Sequence, residues 1–273
     1  MEGQNDGVLS DLLAYARFWF AMAVTVVGAI LGFCGATLGL FMPRKLGRRW
    51  MLQFPVIWAR MILWAARCPI DAQFEAPLPE GGIFIFANHQ STLDIIALFL
   101  LMKDRPISFA VKRELFGVPI MGWYLRMAGF IEVDRNSRER AIKNYAKAGG
   151  YLREGATIGI YPEGTRSIDG SVLPFKKGPF VLAIETQMPI VPIAVDGAQR
   201  ASRKHTKKLY GTTIHVRIGK AIETRGLVAE DRDALLIRTR KEILALHLKA
   251  GAAPSPEEPM IAPPGKRTGE RQA

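Results

Sequence analysis

A histidine and an aspartate lie five residues apart at the point where an apolar run turns polar. The run 82–87 is followed by His89, and Asp94 comes shortly after it. Five steps along a regular helix place two side chains about 140° apart around the axis, so the pair can meet only if His89 precedes the helix. Asp94 would then orient the imidazole, and the other ring nitrogen would be a base able to deprotonate a hydroxyl.

The same residues also fit a purely structural role at the start of a helix. Ser91 to Asp94 has the pattern of a capping box, in which Asp94 bonds only to the backbone. The spacing leaves both interpretations open. A cap does not account for His89, a titratable group at the carboxyl end of a predicted strand, where open α/β sheets bind their ligands.

A second polar turn follows another predicted strand. The residues from Tyr161 to Ser167 read Tyr-Pro-Glu-Gly-Thr-Arg-Ser. The guanidinium of Arg166, beside backbone N–H groups freed by Gly164, would suit a phosphate monoester because its fork bonds two oxygens at once. A solvated turn is the alternative, since Pro-x-Gly is common turn chemistry.

Two more predicted strands end in cations, Lys112 after 107–111 and Arg135 after 129–133. Each by itself is typical of a surface charge. If the strands run parallel, these cations share one rim with His89 and Arg166.

The elements that position these groups follow from the hydrophobic periodicity beyond residue 70. Short β-rich runs predict strands at 82–87, 107–111, 129–133, 157–161, 190–195 and 213–218. Amphipathic stretches predict helices at about 92–102, 114–127, 137–153, 176–187 and 230–249, with Gly155 and Gly251 as stops. The alternation predicts an α/β domain over 71–250, with a mostly parallel sheet flanked by helices. The proline-rich residues 251–273 are predicted to be a disordered tail.

Residues 1–70 are predicted to anchor the chain to a membrane. The segment 18–42 contains no charge and is long enough to cross a bilayer, and its flanks do not fit a cleaved signal peptide. The segment 50–68 predicts a helix lying in the interface, with a buried helix of the soluble domain as the alternative. One basic residue precedes the span and four lie within 44–49, which predicts a catalytic domain on the cytoplasmic face.

The composition narrows the classes of partner. Of the 273 residues, 37 are Lys or Arg and 25 are Asp or Glu, a net charge of +12 that suggests nucleic acid or an anionic bilayer. The basic cluster 200–208 has no aromatic residue for stacking on bases, which favours anionic lipid and argues against nucleic acid. No Gly-x-Ser-x-Gly, dinucleotide, phosphate-loop or metal-ligand motif occurs, and Cys34 and Cys68 lie in apolar segments.

These motifs resemble those of the glycerolipid acyltransferases. His89 to Asp94 is similar to their His-x-x-x-x-Asp motif, and 161–167 is similar to their Phe-Pro-Glu-Gly-Thr-Arg-Ser block. Looser matches at 112–135 and 191–193 occur in the family's order.

The resemblance implies an O-acyltransferase in phospholipid biosynthesis. His89 would be the general base and Asp94 its orienting partner, moving an acyl chain from a coenzyme A or acyl carrier protein thioester to lysophosphatidic acid and giving phosphatidic acid. It implies no metal or cofactor. The residues it implies for glycerol phosphate binding are Glu163, Gly164, Thr165 and Arg166, with Lys112 and Arg135 as further contacts. The alternatives are a different lyso-lipid acceptor or a non-catalytic lipid-binding protein.

Overall fold

A central β-sheet organises the chain. The computed structural model of the protein describes residues 2–39, 41–43, 46–47, 50, 53–105, 107–119, 121–127, 130–133, 149–203 and 205–263. The strands are β1 Ile70–Phe74, β2 Ile83–Ala87, β3 Ile107–Lys112, β4 Ile131–Val133, β5 Thr157–Ile160, β6 Ile190–Asp196 and β7 Ile214–Ile218. They form one sheet in the order β1-β7-β6-β2-β5-β3-β4. The strand β1 was not predicted, because its sequence Ile-Asp-Ala-Gln-Phe has no continuous apolar run.

Neighbouring strands run parallel, except that β6 and β7 are antiparallel. This confirms the predicted α/β fold with a mostly parallel sheet. The carboxyl ends of β2, β3, β4 and β5 therefore meet at one edge. Parallel sheets of this kind bind ligands in the crevice at that edge.

The central strand β2 is buried on both faces, as strands of parallel sheets usually are. Ile83 and Ile85 point into an apolar cluster with the helices near the N-terminus. Phe84 and Phe86 point into a second cluster with the helices near the C-terminus. Alternate residues of one strand thus fill two cores, which fixes the register of β2 and the position of its carboxyl end.

Helices cover both faces of the sheet. They are α1 Glu2–Gly39, α2 Gln53–Ala66, α3 Thr92–Leu101, α4 Arg113–Phe116, α5 Met121–Met127, α6 Gly178–Thr186, α7 Ala198–Ala201, a 3₁₀ turn Ala229–Asp231 and α8 Arg232–Lys249. The prediction of one helix over 114–127 was wrong, because Pro119 has no N–H and disfavours helical geometry in the residue before it. Of the predicted helix 137–153, residues 149–153 are helical and the rest lies outside the described residues.

The helices α1 and α2 pack side by side in opposite directions. Gly28 lies against the ring of Trp58 and Gly35 against the ring of Phe54, and a Cβ on either glycine would come closer than 3 Å to that ring. The glycines of the predicted span therefore form the contact surface for the aromatic residues of α2. Within the described residues, 8–39 is long and apolar enough to cross a membrane, and this stretch contains most of the predicted span 18–42.

The helix α2 has one buried and one exposed face. Ala59, Ile62 and Ala66 are buried between α1 and α3. On the opposite face Ile57 is exposed, and the side chain of Trp64 is 71% exposed. Both sequence interpretations of 50–68 therefore describe part of this helix, and its location in an interface stays a prediction.

The prediction of a disordered tail does not hold for residues 252–263. Arg240 on α8 is 1% exposed, and its guanidinium donates to the carbonyls of Pro256 and Glu257 as well as to that of Val172. The backbone of Phe175 bonds to that of Met260 and Ala262. A buried guanidinium needs these acceptors, and they order a segment that its composition alone would leave unfolded. Residues 264–273 lie outside the described residues.

Candidate active site

The side chain of Asn88 ends the central strand. Its amide donates to the carbonyl of Val195 at 2.9 Å, and its carbonyl oxygen accepts the N–H of Val195 at 2.7 Å. The side chain thus takes the place that a peptide group would have in the ladder between β2 and β6. The backbone is released from the sheet one residue later, and His89 stands in the loop, as the spacing predicted.

The imidazole of His89 and the carboxylate of Asp94 form a hydrogen-bonded pair. Nδ1 of His89 lies 2.9 Å from Oδ2 of Asp94. The carboxylate is fully buried, and the imidazole is 16% exposed. Because an Nδ1–H donated to a carboxylate leaves the lone pair on Nε2, the pair presents a base towards solvent.

Asp94 also caps α3, so the two interpretations of its role both apply. Its Oδ2 accepts the N–H groups of Gln90 and Ser91 at 2.6 and 2.8 Å, in addition to His89. Its Oδ1 has no hydrogen bond within the described part of the chain. Oδ2 therefore fixes both the loop backbone and the imidazole, which makes the position of the ring depend on the start of the helix.

The ring of Tyr161 supports the imidazole from the neighbouring strand. The two rings are stacked, with centroids 4.1 Å apart and planes inclined by 19°. Burial, and secondarily the charge of Asp94, raises the pKa of Tyr161 well above its ordinary value, so its hydroxyl stays neutral. This contact depends on β5 lying beside β2, which the sequence patterns do not show.

The turn after β5 lies directly against the His89 loop. The N–H of Ser167 donates to the carbonyl of His89 at 2.7 Å. Nη1 of Arg166 lies 3.3 Å from Oγ1 of Thr92, the first residue of α3. The structure thus brings the two polar turns of the sequence together at one edge.

Gly164 contributes backbone geometry to this turn. Its φ is +69°, in the left-handed region that glycine adopts without strain. Its N–H donates to the carbonyl of Tyr161 at 3.0 Å and closes the turn. The neighbouring Thr165 is exposed.

The side chain of Glu163 is enclosed in the protein. It is 2% exposed, and its carboxylate lies near the N–H groups of His89 and Leu173 without a hydrogen bond of regular geometry within the described residues. Burial raises the pKa of Glu163 well above its usual range, and the N–H groups of His89 and Leu173 counteract this only in part. In this geometry the carboxyl is enclosed in the protein, and its role in binding a substrate stays a prediction.

The structure describes the side chain of neither of two predicted cations, Lys112 and Arg135. Lys112 is the last residue of β3, so its backbone lies at the same edge as His89, and its side chain is not described. Arg135 lies outside the described residues.

The sequence patterns did not select Lys176, whose ammonium would come within 2.9 Å of a Cβ on Gly164. Lys176 comes close to Gly164 because the chain folds back over the turn after β5, which spacing along the sequence does not indicate.

Gln90 connects the His89 loop to α8. Its Nε2 donates to the carbonyl of Gly170 at 2.8 Å and lies 3.1 Å from Nε2 of His247. Burial lowers the pKa of His247, which keeps the imidazole neutral and able to accept this hydrogen bond. Sequence spacing gives no sign of this pair, because its members come from distant parts of the chain.

Comparison with known proteins places this geometry in a family. Residues 70–196 match the family model named Acyltransferase. A human 1-acyl-sn-glycerol-3-phosphate acyltransferase beta is 39% identical over 56% of this chain, and the chain spans just over half of that protein's length, 55%. A 1-acyl-sn-glycerol-3-phosphate acyltransferase of Pseudomonas aeruginosa is 34% identical over 71% of this chain and 77% of its own length.

A solved structure shows the same fold. The crystal structure of the 1-acyl-sn-glycerophosphate acyltransferase from Thermotoga maritima matches with a TM-score of 0.75 and 23% identity. The match covers 90% of this chain and 98% of that one. Together with the sequence relatives, these matches show that the chain belongs to the acyltransferase family that includes the 1-acyl-sn-glycerol-3-phosphate acyltransferases.

Proposed function

We propose that the protein transfers an acyl chain from an acyl thioester to the free hydroxyl of 1-acyl-sn-glycerol 3-phosphate, giving phosphatidic acid. The observation that carries this proposal is the buried carboxylate of Asp94, which holds His89 at the edge of the sheet beside Arg166. The names of the sequence relatives support the choice of acceptor.

In this reaction His89 acts as the general base. Its Nε2 removes the proton from the acceptor hydroxyl as the oxygen attacks the thioester carbonyl. Asp94 stabilises the imidazolium that forms, and the stacked ring of Tyr161 holds the imidazole plane. When the tetrahedral intermediate collapses, the carbon–sulfur bond breaks and His89 returns the proton to the thiolate. No covalent acyl-enzyme is required.

Arg166 is the residue that we propose for the phosphate of the acceptor. Its bond to Thr92 holds the guanidinium next to the His89 loop, so a phosphate bound there would bring the glycerol hydroxyl close to the base. The exposed hydroxyl of Thr165 would add a donor. Lys112 and Arg135 remain proposals for further contacts with the phosphate.

The donor and the location are also proposals. Coenzyme A and acyl carrier protein thioesters would both supply the carbonyl and the thiol leaving group that this reaction needs. The long apolar helix α1 supports attachment to a membrane. A cytoplasmic position for the catalytic domain stays a proposal from the sequence, because the loop 203–210 bonds to α1 near its start, whereas the basic residues 44–49 follow its other end.

One assay tests the reaction and its acceptor together. The full-length chain is offered lysophosphatidic acid, other lysophospholipids and a lyso-amino-acid lipid, each with palmitoyl-coenzyme A and with palmitoyl-acyl carrier protein. We expect phosphatidic acid as the main product. A stronger turnover of another lyso-lipid would replace the proposed acceptor, and no transfer to any acceptor would favour a non-catalytic lipid-binding protein.

A further inference from the structure

A basic loop, residues 203–210, is fixed against the first third of α1. The N–H of Leu209 donates to the carbonyl of Ala14 at 3.1 Å. Asp11 of the helix accepts from Lys208 and from the hydroxyl of Tyr210, both at 2.6 Å. These contacts connect a loop of the catalytic domain rigidly to the helix that we propose to enter the bilayer.

The loop encloses a cavity of about 450 Å³ that faces solvent on one side. Its walls are Arg203, His205, Thr206, Lys207 and Lys208, with Tyr15 of α1 and Tyr210. Asp11 neutralises Lys208. No carboxylate whose side chain the structure describes pairs with Arg203, His205 or Lys207. The cavity therefore has an excess of hydrogen-bond donors and positive charge, which suits a phosphate group.

The surroundings of the cavity favour a lipid as the source of that phosphate. The ammonium of Lys207 lies 5.5 Å from the ring centroid of Trp19, which is 56% exposed, and Lys208 lies 5.4 Å from that of Tyr15. Exposed Trp and Tyr residues beside lysines are typical of the level of lipid headgroups. Beyond Trp19 the sequence has no charge until Arg44, so the cavity stands at the polar end of the apolar helix.

We propose that this cavity binds the headgroup phosphate of an anionic phospholipid in the bilayer, at a site separate from the catalytic pair. The site rests on the proposed attachment of α1 to a membrane. The site also affects how the His89 loop is oriented relative to the membrane. The carbonyl of Ser202, just before the basic loop, accepts a hydrogen bond from Oγ of Ser91 at 3.2 Å. A lipid held here would fix the height of the His89 loop relative to the membrane surface.

The test compares two double variants of the full-length chain with equal losses of charge. The first carries Arg203→Gln and Lys207→Gln. The control carries Arg238→Gln and Lys241→Gln, exposed residues of α8 on the other face of the sheet. Partition coefficients are measured for vesicles of phosphatidylcholine alone and with one-third phosphatidylglycerol, and the ratio of the two gives the preference for anionic lipid.

We expect the first variant to lose roughly 10- to 30-fold of this preference, since each surface cation contributes about a factor of five. The control should keep the wild-type ratio within about twofold. Equal losses in both variants, or no loss in the first, would overturn the site. Acyl transfer is assayed on the same samples: its absence with the lipid preference intact would refute the proposed function and leave this site standing. Failure of the wild type to bind either vesicle would overturn the membrane attachment and the site together.

Discussion

Within the described residues, two hydrogen-bonded histidine–aspartate pairs have the same bond length and different surroundings. His89 and Asp94 meet at 2.9 Å where the central strand ends, and His215 and Asp71 meet at 2.9 Å between β7 and the edge strand β1. Asp94 is fully buried, whereas Asp71 is 40% exposed. A short contact between an imidazole and a carboxylate is therefore not enough to identify a catalytic base.

What separates the pairs is the other partner of each carboxylate. Oδ2 of Asp71 also accepts from the guanidinium of Arg217 at 2.8 Å, so a cation already balances its charge. Among the residues that the structure describes, Oδ2 of Asp94 accepts only backbone N–H groups besides His89. A carboxylate without a competing cation stabilises an imidazolium more strongly, which is what a general base requires.

The largest difference between the pairs should appear on removing each histidine. His89→Ala should lower kcat by about 10²- to 10⁴-fold, the usual contribution of a general base. His215→Ala should leave kcat within about twofold, because its pair is structural. Both are measured by phosphatidic acid formation with circular dichroism as a check of folding. Similar losses in both variants would show that the distinction between the pairs is wrong.

Replacing the arginine beside each pair should also affect substrate binding at the first pair and stability at the second. Arg166→Ala should raise KM for lysophosphatidic acid roughly 10- to 100-fold, since a hydrogen bond to a charged group is lost. Arg217→Gln should leave KM unchanged and lower Tm, because its guanidinium bonds only within the protein. Steady-state kinetics with phosphorylated and neutral acceptors measure the first effect. An unchanged preference of Arg166→Ala for the phosphorylated acceptor would contradict a phosphate site there.

The hydrogen bond between Gln90 and the buried His247 predicts that the stability of the fold depends on pH. Burial lowers the folded-state pKa of His247, so below the unfolded value of about 6.5 the unfolded chain binds the proton more readily. The contribution of neutral His247 to stability is therefore present at neutral pH and falls as the pH drops below about 6.5, by at most ~1.4 kcal/mol per pH unit.

His247→Gln should remove this dependence. We expect a lower free energy of unfolding at pH 7, because a buried partner of Gln90 is changed, and a flatter profile between about pH 6.5 and 5. Urea denaturation in detergent over this range measures it, with His215→Gln as the control. A profile as steep as that of the wild type would mean that His247 is not the group that titrates.

The smallest effect is expected for Asp71→Asn. Hydrogen bonds from His215 and then from Arg217 lower the pKa of Asp71, so its pairing stabilises the fold above the unfolded pKa of about 3.9 and is lost as the pH falls through the folded pKa. Exposure and salt screening keep the benefit small. Tm should fall slightly at pH 7, the difference should vanish in acid, and kcat should stay within about twofold.

The sequence allowed the contact between His89 and Asp94 and most strands to be predicted, because both depend on neighbours along the chain. The gap between His89 and Asp94 already required a loop followed by a helix. Tyr161 and Gln90 could not be given their roles in this way, since the partner of Tyr161 comes from another strand and the partner of Gln90 from α8. The burial of Glu163 could not be predicted for the same reason, because it depends on the layers above and below the turn.

Arg240 also shows where the folded unit ends. From the composition alone, the folded unit would be expected to end near Gly251, where prolines replace large apolar side chains. The guanidinium of α8 moves that boundary to at least Ala262, because the carbonyls of Pro256 and Glu257 complete its hydrogen bonds. Trimming the chain at Gly251, or grafting only residues 71–250 onto another anchor, would remove two carbonyl acceptors of this buried guanidinium and leave it those of Val172 and Leu173. The C-terminal segment is therefore a part of the domain that cannot be exchanged as a module.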